Sequence, residues 1–205
     1  MADSPMGPFT FTGIIMDESP SGCWTNHHSI TEYNGQWYLF YHHNDYSPNF
    51  DKNRSARIDS LFFNTDGTIK KVKPTLRGVG ITDARSKIQI DRYSTISPYG
   101  VTIDYLEPSN TFEGWQTLFN RAGTWVTYNK VDFGTTPVKR LKARVRSEKG
   151  GAITLRTPGE KGMTIAELPI KPTGKWTEIS TNVSNAPTSM QDLIITQTGE
   201  NPVAV

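Results

Sequence analysis

Turn-forming dipeptides divide this chain into short segments, and their spacing limits the folds that it can adopt. Glycine-containing turns occur as "NG" at 34–35, "DG" at 66–67, "AG" at 122–123, "GG" at 150–151, "PG" at 158–159 and "TG" at 173–174. The runs between them are rich in Ile, Val, Thr, Tyr, Phe and Trp, which favour β-strands. Neither a convincing helical pattern nor a repeat of fixed period is present. The sequence therefore predicts an all-β protein.

The first part of the chain carries the strongest hairpin signal. In "SITEYNGQWYLFYH", Asn34-Gly35 supplies the positive φ angles of a two-residue turn. Leu39 and Tyr41 of the second arm share one face, and Tyr38 and Phe40 share the other. A second pair, "ARIDSLFFN" and "TIKKVKPT", flanks "TDG". Four such strands match one blade of a β-propeller, which buries too little apolar surface to be stable alone.

A second series of strands follows a linker-like segment, "VGITDARSK", near residue 82. The predicted strands are 88–93, 100–105, 115–119, 124–132, 139–147, 151–156, 162–168, 175–181 and 191–196. This density of strands predicts an antiparallel β-sandwich of jelly-roll type. We therefore expect two parts, with residues 1–82 as the blade and residues 83–205 as the sandwich.

The composition argues against several classes of function. With 22 Lys and Arg against 20 Asp and Glu, the net charge of +2 is too small to indicate nucleic acid as a partner. The basic run "KRLKARVRSEK" alternates with apolar residues, as on one exposed strand face. The single cysteine, Cys23, excludes an internal disulfide. No apolar run approaches the roughly 18 residues of a membrane span, and the first residues lack the basic start and apolar core of a signal peptide.

Residues 7–80 carry motifs of an enzyme family. The runs "WTNHHSI", "GQWYLFYH" and "DGTIKKVKPT" together resemble the last blade of a family 43 glycoside hydrolase. The resemblance implies a five-bladed propeller that cleaves arabinose- or xylose-bearing plant polysaccharides with inversion, using carboxyl groups about 6.5–9.5 Å apart. It places those catalytic carboxylates in earlier blades, which are missing here. We therefore assign no catalytic residue and expect this chain alone to be inactive.

Residues 87–205 are similar to a family 6 carbohydrate-binding module. The motifs "NKVDFG", "GGAIT", "GKWT" and "QDL" follow one another in the order of that family. The family continues into a last strand, which the resemblance places beyond Val205 and which this sequence lacks. The two modules commonly occur fused in this order.

Together the resemblances predict part of a hydrolase, of the arabinofuranosidase or xylosidase type, with a module that binds xylan or arabinoxylan. Because such a substrate is polymeric, they imply a secreted or periplasmic location. A non-catalytic carbohydrate-binding protein is the alternative, and a structural or adhesive β protein is the third hypothesis.

Both resemblances indicate sugar-binding residues. In the module, a sugar would lie between Phe119, where the family usually has Tyr, and Trp176, and Asn201 would complete the cleft. Trp115 is an alternative platform. In the blade, Arg54 would donate to sugar hydroxyls, and a surface salt bridge with Asp51 or Asp59 fits the sequence about as well.

The four histidines lie at positions 27, 28, 42 and 43. The resemblance implies that His27 helps to hold a calcium ion with mostly water ligands, and that Asp91 binds a structural calcium ion in the module. Calcium prefers oxygen ligands, so a hydrogen-bonded structural imidazole is the other interpretation of His27. Zinc is not favoured, because the histidine pairs lack the His-x₃₋₅-His spacing and no Cys pair completes a set.

Overall fold

The computed structural model describes residues 1–18, 26–44 and 54–205, which leaves Cys23 and Asp51 outside the described residues. The chain divides into two compact units, Met1–Val79 and Gly80–Val205. Among the described residues the regular elements are β-strands, apart from one short 3₁₀ turn at Thr111–Glu113. The predicted all-β class is confirmed.

None of the helical structure in the described ranges is long and apolar enough to cross a membrane.

The first unit contains an antiparallel sheet of three strands in the order β1 (Ser29–Tyr33), β2 (Gln36–His43) and β3 (Ser55–Leu61). The β1–β2 turn has φ angles of 50° at Asn34 and 75° at Gly35, as the sequence predicts. The segment "TIKKVKPT", expected as a fourth strand, forms only isolated bridges, from Ile69 to Phe63 and from Val72 to Met16. Its lysines and its proline suit an edge position better than a continuous ladder.

One face of this sheet forms the core of the first unit. Leu39, Tyr41, Leu61 and Val72 are buried together. On the opposite face of β2, Phe40 is 43 % exposed. The alternation predicted for this strand is therefore confirmed.

The second unit contains the remaining strands. They are β4 (Thr82–Asp83), β5 (Thr95–Ile96), β6 (Val101–Tyr105), β7 (Trp115–Phe119), β8 (Trp125–Asp132), β9 (Arg140–Val145), β10 (Gly151–Arg156), β11 (Thr164–Ile170), β12 (Thr177–Asn182), β13 (Met190–Gln197) and β14 (Val203–Ala204).

These strands form the two layers of a sandwich. The first sheet has the order β11-β10-β13-β8-β4, with β5 also paired to β8. The second layer consists of β6-β7-β14 and β9-β12, and a bridge between Arg146 and Ala204 places β14 between β7 and β9. Both layers contribute to one core cluster, which includes Val145, Ile153 and Val203.

The strand predicted at 88–93 is wrong. The Arg92 N–H donates to the Gln89 carbonyl at 3.1 Å, which closes a turn inside the alternating run "KIQIDRYS". Pairing with β8 starts only at Thr95. The strand expected beyond Val205 lies outside the sequence and stays a prediction.

Candidate functional site

Phe119 cannot serve as a sugar platform, because its side chain is 0 % exposed. It lies on β7 between Val101 of β6 and Val203 of β14, which are also buried. All three side chains therefore face the interior of the sandwich. The prediction that Phe119 stacks on a sugar is wrong, and this ring fills the core instead.

Trp176 lies on the solvent-facing side of the second layer, just before β12, and is half-buried. The guanidinium carbons of Arg144 and Arg146 lie 5.5 and 5.3 Å from its ring centroid. Both arginines are exposed and flank the buried Val145. Trp176 and Phe119 thus occupy opposite faces of one layer, and the structure does not bring them together as two walls of a cleft.

Asn201 is half-buried in the loop that leads to β14. Its carbonyl accepts a hydrogen bond from the side-chain amide of Gln197, which also donates to the Gly199 carbonyl at 3.0 Å. These bonds fix the backbone of the loop. Within the described ranges the Asn201 side-chain amide makes no hydrogen bond, and its role in binding stays a prediction.

Trp115, the alternative platform, is already stacked. Its ring lies 4.5 Å from that of Tyr105 with an interplanar angle of 26°. Both residues are half-buried and directly paired across β6 and β7. One face of Trp115 is therefore covered by protein.

Sequence reasoning missed a cleft of about 360 Å³ between the loops that precede β6 and β8. We call it the Tyr99 cleft. Its most exposed wall is Tyr99, which is 67 % exposed, and the half-buried Trp125 forms another wall. The guanidinium carbon of Arg121 lies 4.3 Å from the Tyr99 ring centroid. The remaining lining residues are Ser97, Pro98, Ala122, Gly123 and Thr124.

Hydrogen bonds to backbone carbonyls hold the walls of the Tyr99 cleft in place. The Thr124 hydroxyl donates to the Arg121 carbonyl at 2.7 Å, and the Gly123 N–H donates to the Gln197 carbonyl at 2.8 Å. Gly100 has a φ of 83°, and a Cβ there would lie 2.6 Å from Thr124 Cγ2. The turn signal "SPYG" around Tyr99 could have placed this aromatic residue on a loop rather than in the core.

The predicted calcium ligand Asp91 is 7 % exposed, and its carboxylate lies 3.5 Å from the Arg92 guanidinium. Among the described residues, no three His, Cys, Asp or Glu side chains are grouped closely enough to hold a metal ion. Asp91 therefore fits calcium as a single buried oxygen donor. Any ion would need further ligands from carbonyl groups, water or elsewhere, and the site stays a prediction.

His27 and Arg54, the predicted site residues of the first unit, are both exposed and lie near His42. The His27 backbone N–H donates to His42 Nε2 at 3.1 Å. The two imidazole rings form an edge-to-face pair with their centroids 5.7 Å apart. Burial lowers the pKa of His42, and the charges of Arg54, His27 and His43 lower it further. Metal binding by His27 and sugar binding by Arg54 stay predictions.

A buried polar network distinguishes Arg57 from Arg54. Arg57 donates to His43 Nε2 and to the Thr75 carbonyl. Asp59 accepts from the Tyr41 hydroxyl at 2.5 Å and from the Thr75 hydroxyl at 2.6 Å. Arg57 is therefore a structural residue, while Arg54 faces solvent.

Comparison with known proteins gives the family of the second unit. The family model "Carbohydrate binding module (family 6)" matches residues 96–205. The chain belongs to this family. The described architecture agrees, since a β-sandwich occupies the matched residues.

Relatives extend the similarity of this family 6 chain to its first unit. An arabinoxylan arabinofuranohydrolase from Paenibacillus polymyxa is 28% identical over 215 residues, which cover 97% of this chain and 33% of the relative. The chain thus spans about a third of that protein.

Two solved structures show related folds. A family 43 arabinoxylan arabinofuranohydrolase from Bacillus subtilis, in complex with cellotetraose, matches 98% of this chain and 45% of its own, with a TM-score of 0.63 and 23% identity. A family 6 module from Clostridium cellulolyticum, in complex with xylose, matches 60% of this chain and 97% of its own, with a TM-score of 0.50 and 27% identity. A part related to family 43 glycoside hydrolases is therefore fused to a family 6 module, as predicted.

Proposed function

We propose that the family 6 module binds oligosaccharides of xylan or arabinoxylan in the Tyr99 cleft. The observation that carries this proposal is the exposed ring of Tyr99 beside Trp125 in a cleft with fixed walls. The complex of a related module with xylose and the arabinoxylan-directed name of the first relative support this choice of sugar.

The chemistry of the Tyr99 cleft suits a neutral sugar. The C–H face of a pyranose packs on an aromatic ring, and a few fixed polar groups recognise its hydroxyls. Arg121 covers one face of the Tyr99 ring, and the high exposure of Tyr99 leaves room for a sugar on the other. The exposed Arg121 guanidinium lies beside it as a polar group.

Calorimetric titration with xylohexaose, with cellohexaose as the comparison, tests the proposal. Tyr99→Ala should weaken xylohexaose binding by about tenfold or more, which is roughly 1.4 kcal/mol. Phe112→Ala is the matched control, because Phe112 is a 98 % exposed aromatic residue of the same module that does not line the cleft. Binding that survives Tyr99→Ala but disappears in Trp176→Ala would overturn this choice of site.

We further infer that the larger protein hydrolyses arabinose- or xylose-bearing polysaccharides outside the cytoplasm, either secreted or in a periplasm. Its catalytic carboxylates would lie in propeller blades outside this chain, and the exposed Arg54 would donate to the sugar there. This chain alone should not cleave aryl arabinofuranosides or aryl xylosides. Specific turnover by the purified chain would contradict this inference.

A structural calcium ion at Asp91 is also proposed, because a buried carboxylate beside a single guanidinium can accept further cationic partners. Calcium should raise the thermal unfolding midpoint of the chelator-treated protein. Asp91→Asn should remove that increase. An unchanged midpoint in the wild-type protein would contradict calcium binding.

A further inference from the structure

The solvent-facing side of β9 carries three cations, and a fourth follows directly after the strand. Arg140, Lys142 and Arg144, with Arg146 after them, alternate with less exposed residues. Lys142 is paired with Glu178 of β12 at 3.0 Å. Within the described ranges, Arg144 and Arg146 form no ion pair and their side chains donate no hydrogen bond. Two neighbouring guanidinium groups are therefore available to an external anion.

These two arginines share one aromatic neighbour, Trp176. Their guanidinium carbons lie 5.5 and 5.3 Å from its ring centroid, so the indole and both cations form one surface. A guanidinium near an aromatic ring keeps the N–H donors at its edge, and these donors match the two oxygens of a carboxylate. We call this surface the Trp176 face.

The two carboxylates beside the Trp176 face form no ion pair with its arginines: Glu178, which lies opposite Arg144, pairs with Lys142, and Glu107 is held by its own loop. Glu107 is close enough to Arg146 to feel its charge, but the hydrogen bonds from Ser109 are the main cause that lowers the pKa of Glu107. The Glu107 carboxylate accepts from the Ser109 N–H at 3.1 Å and from its hydroxyl at 2.8 Å. The Glu107 carboxylate therefore stabilises its own loop and forms no ion pair with Arg146.

We propose that the Trp176 face binds a sugar that carries a carboxylate, namely a uronic acid unit of a polysaccharide. The indole packs against the pyranose ring, and Arg144 and Arg146 bind the carboxylate. A neutral sugar would use only the indole, and a simple anion would use only the arginines. This inference builds on the proposed sugar-binding function but assigns a different surface from the Tyr99 cleft and a different class of ligand.

The test compares two ligands of equal backbone length, xylotetraose and xylotetraose with one glucuronic acid branch. Calorimetric titrations are run at roughly 20 mM and roughly 200 mM NaCl, because salt screens charge pairs on an exposed surface. We expect the acidic ligand to bind about tenfold more tightly at low salt and to lose most of this advantage at high salt. It should also shift the indole N–H signal of Trp176 in NMR spectra.

Two variants with the same change in net charge distinguish a specific carboxylate-binding site from general electrostatic attraction of the acidic ligand. Arg146→Gln should abolish most of the preference for the acidic ligand. Arg140→Gln, farther along the same strand face, should retain it. Equal losses in both variants, or equal affinity of the wild-type protein for both ligands, would overturn the proposal. Unchanged thermal unfolding midpoints verify that both variants fold.

The two functional proposals fail differently. If neutral xylotetraose binds through Tyr99 and the acidic branch adds nothing, the uronic acid site is wrong and the Tyr99 cleft stands. If only the acidic ligand binds, and it requires Arg146, the Tyr99 cleft is wrong and the uronic acid site stands.

Discussion

The Tyr41 hydroxyl organises the polar interior of the first unit. It donates to Asp59, which accepts two further hydrogen bonds from Thr75. Burial raises the pKa of Tyr41, and the hydrogen bond to Asp59 raises it further. The phenol therefore stays protonated, and keeps donating, far above neutral pH.

Removal of this hydroxyl should destabilise the protein. We expect Tyr41→Phe to lower the free energy of unfolding by roughly 1–3 kcal/mol, because the buried Asp59 carboxylate loses one of its three donors. Tyr38→Phe is the matched control on the other face of β2, where the described residues offer its hydroxyl no hydrogen bond. Urea unfolding of both variants measures the difference. Equal effects would contradict a special role for the Tyr41 hydroxyl.

The imidazole of His42 should titrate below its ordinary pKa of 6.5. Because the folded state then binds this proton less readily than the unfolded state does, acidification below pH 6.5 should reduce the free energy of unfolding. NMR titration of the His42 ring protons measures the midpoint directly. A midpoint at or above 6.5 would show that burial and the neighbouring cations do not act as described.

Single residues were predictable from the sequence where a strand alternates between faces. The hairpin pattern placed Leu39 and Tyr41 on one face of β2, and the structure shows that this face is the buried one. Motif counting located Phe119 but could not give its side of the sheet, which the distant partners Val101 and Val203 determine. The turn signal "SPYG" could have indicated a loop position for Tyr99, but not the cleft beside it, which residues of a second loop complete.

At the scale of elements, the turn between β9 and β10 depends on a close backbone approach. Gly150 has a φ of 81°, and a Cβ there would lie 2.6 Å from the Ile170 carbonyl oxygen at the end of β11. Gly159 has a φ of 95° with no atom near the corresponding Cβ position. The two glycines thus share positive φ but differ in available space.

Alanine substitutions at these two glycines separate the two effects. Gly159→Ala should cost about 1–2 kcal/mol, the usual penalty for a left-handed L-residue. Gly150→Ala should cost clearly more, because the carbonyl of β11 must move. Chemical unfolding of both variants measures the costs. Equal losses of unfolding free energy in the two variants would mean that the Ile170 carbonyl of β11 moves aside without strain.

Strands with long alternating runs were predictable, whereas strands defined by distant partners were not. The bounds 115–119 and 151–156 were predicted from the sequence as they occur. The two-residue strands β4, β5 and β14 carry no local signal, because each is defined by pairing with distant residues: β4 and β5 with β8, and β14 with β7 and Arg146. The turn at 89–92 likewise interrupts a run that looks like a strand.

At the scale of the whole molecule, the two units differ in how fully they bury their apolar residues. Phe9, Phe11 and Phe62 of the first unit are 72, 84 and 55 % exposed. The second unit has a core cluster drawn from both of its layers. This contrast agrees with the expectation that a lone propeller blade needs further apolar surface against it.

Separate expression of the units tests this contrast. Residues 80–205 should fold alone, give dispersed NMR spectra and bind xylohexaose as the complete chain does. Residues 1–79 should give poorly dispersed spectra or aggregate. A first unit that is soluble and well dispersed alone would show that its exposed aromatic residues need no cover.

The order of the two family-related parts followed from sequence motifs, which are local. The binding surfaces could not be predicted from these motifs, because each surface combines segments that are distant in the chain. Trp176 meets Arg144 and Arg146 only through the pairing of β9 with β12, and Tyr99 meets Arg121 only where two loops converge. Such combinations depend on topology, which the motif order does not specify.

The position of β14 has a consequence for how the module is made. Its backbone exchanges hydrogen bonds with Arg146 on one side and with Thr117, through Val205, on the other. Residues 203–205 must therefore leave the ribosome before the second layer can close. Nascent chains grow at roughly 5–20 residues per second. The sheet that contains β6, β7 and β9 therefore stays incomplete for several seconds, until β14 is synthesised. During this time β7 and β9 present open strand edges, at which other chains can pair.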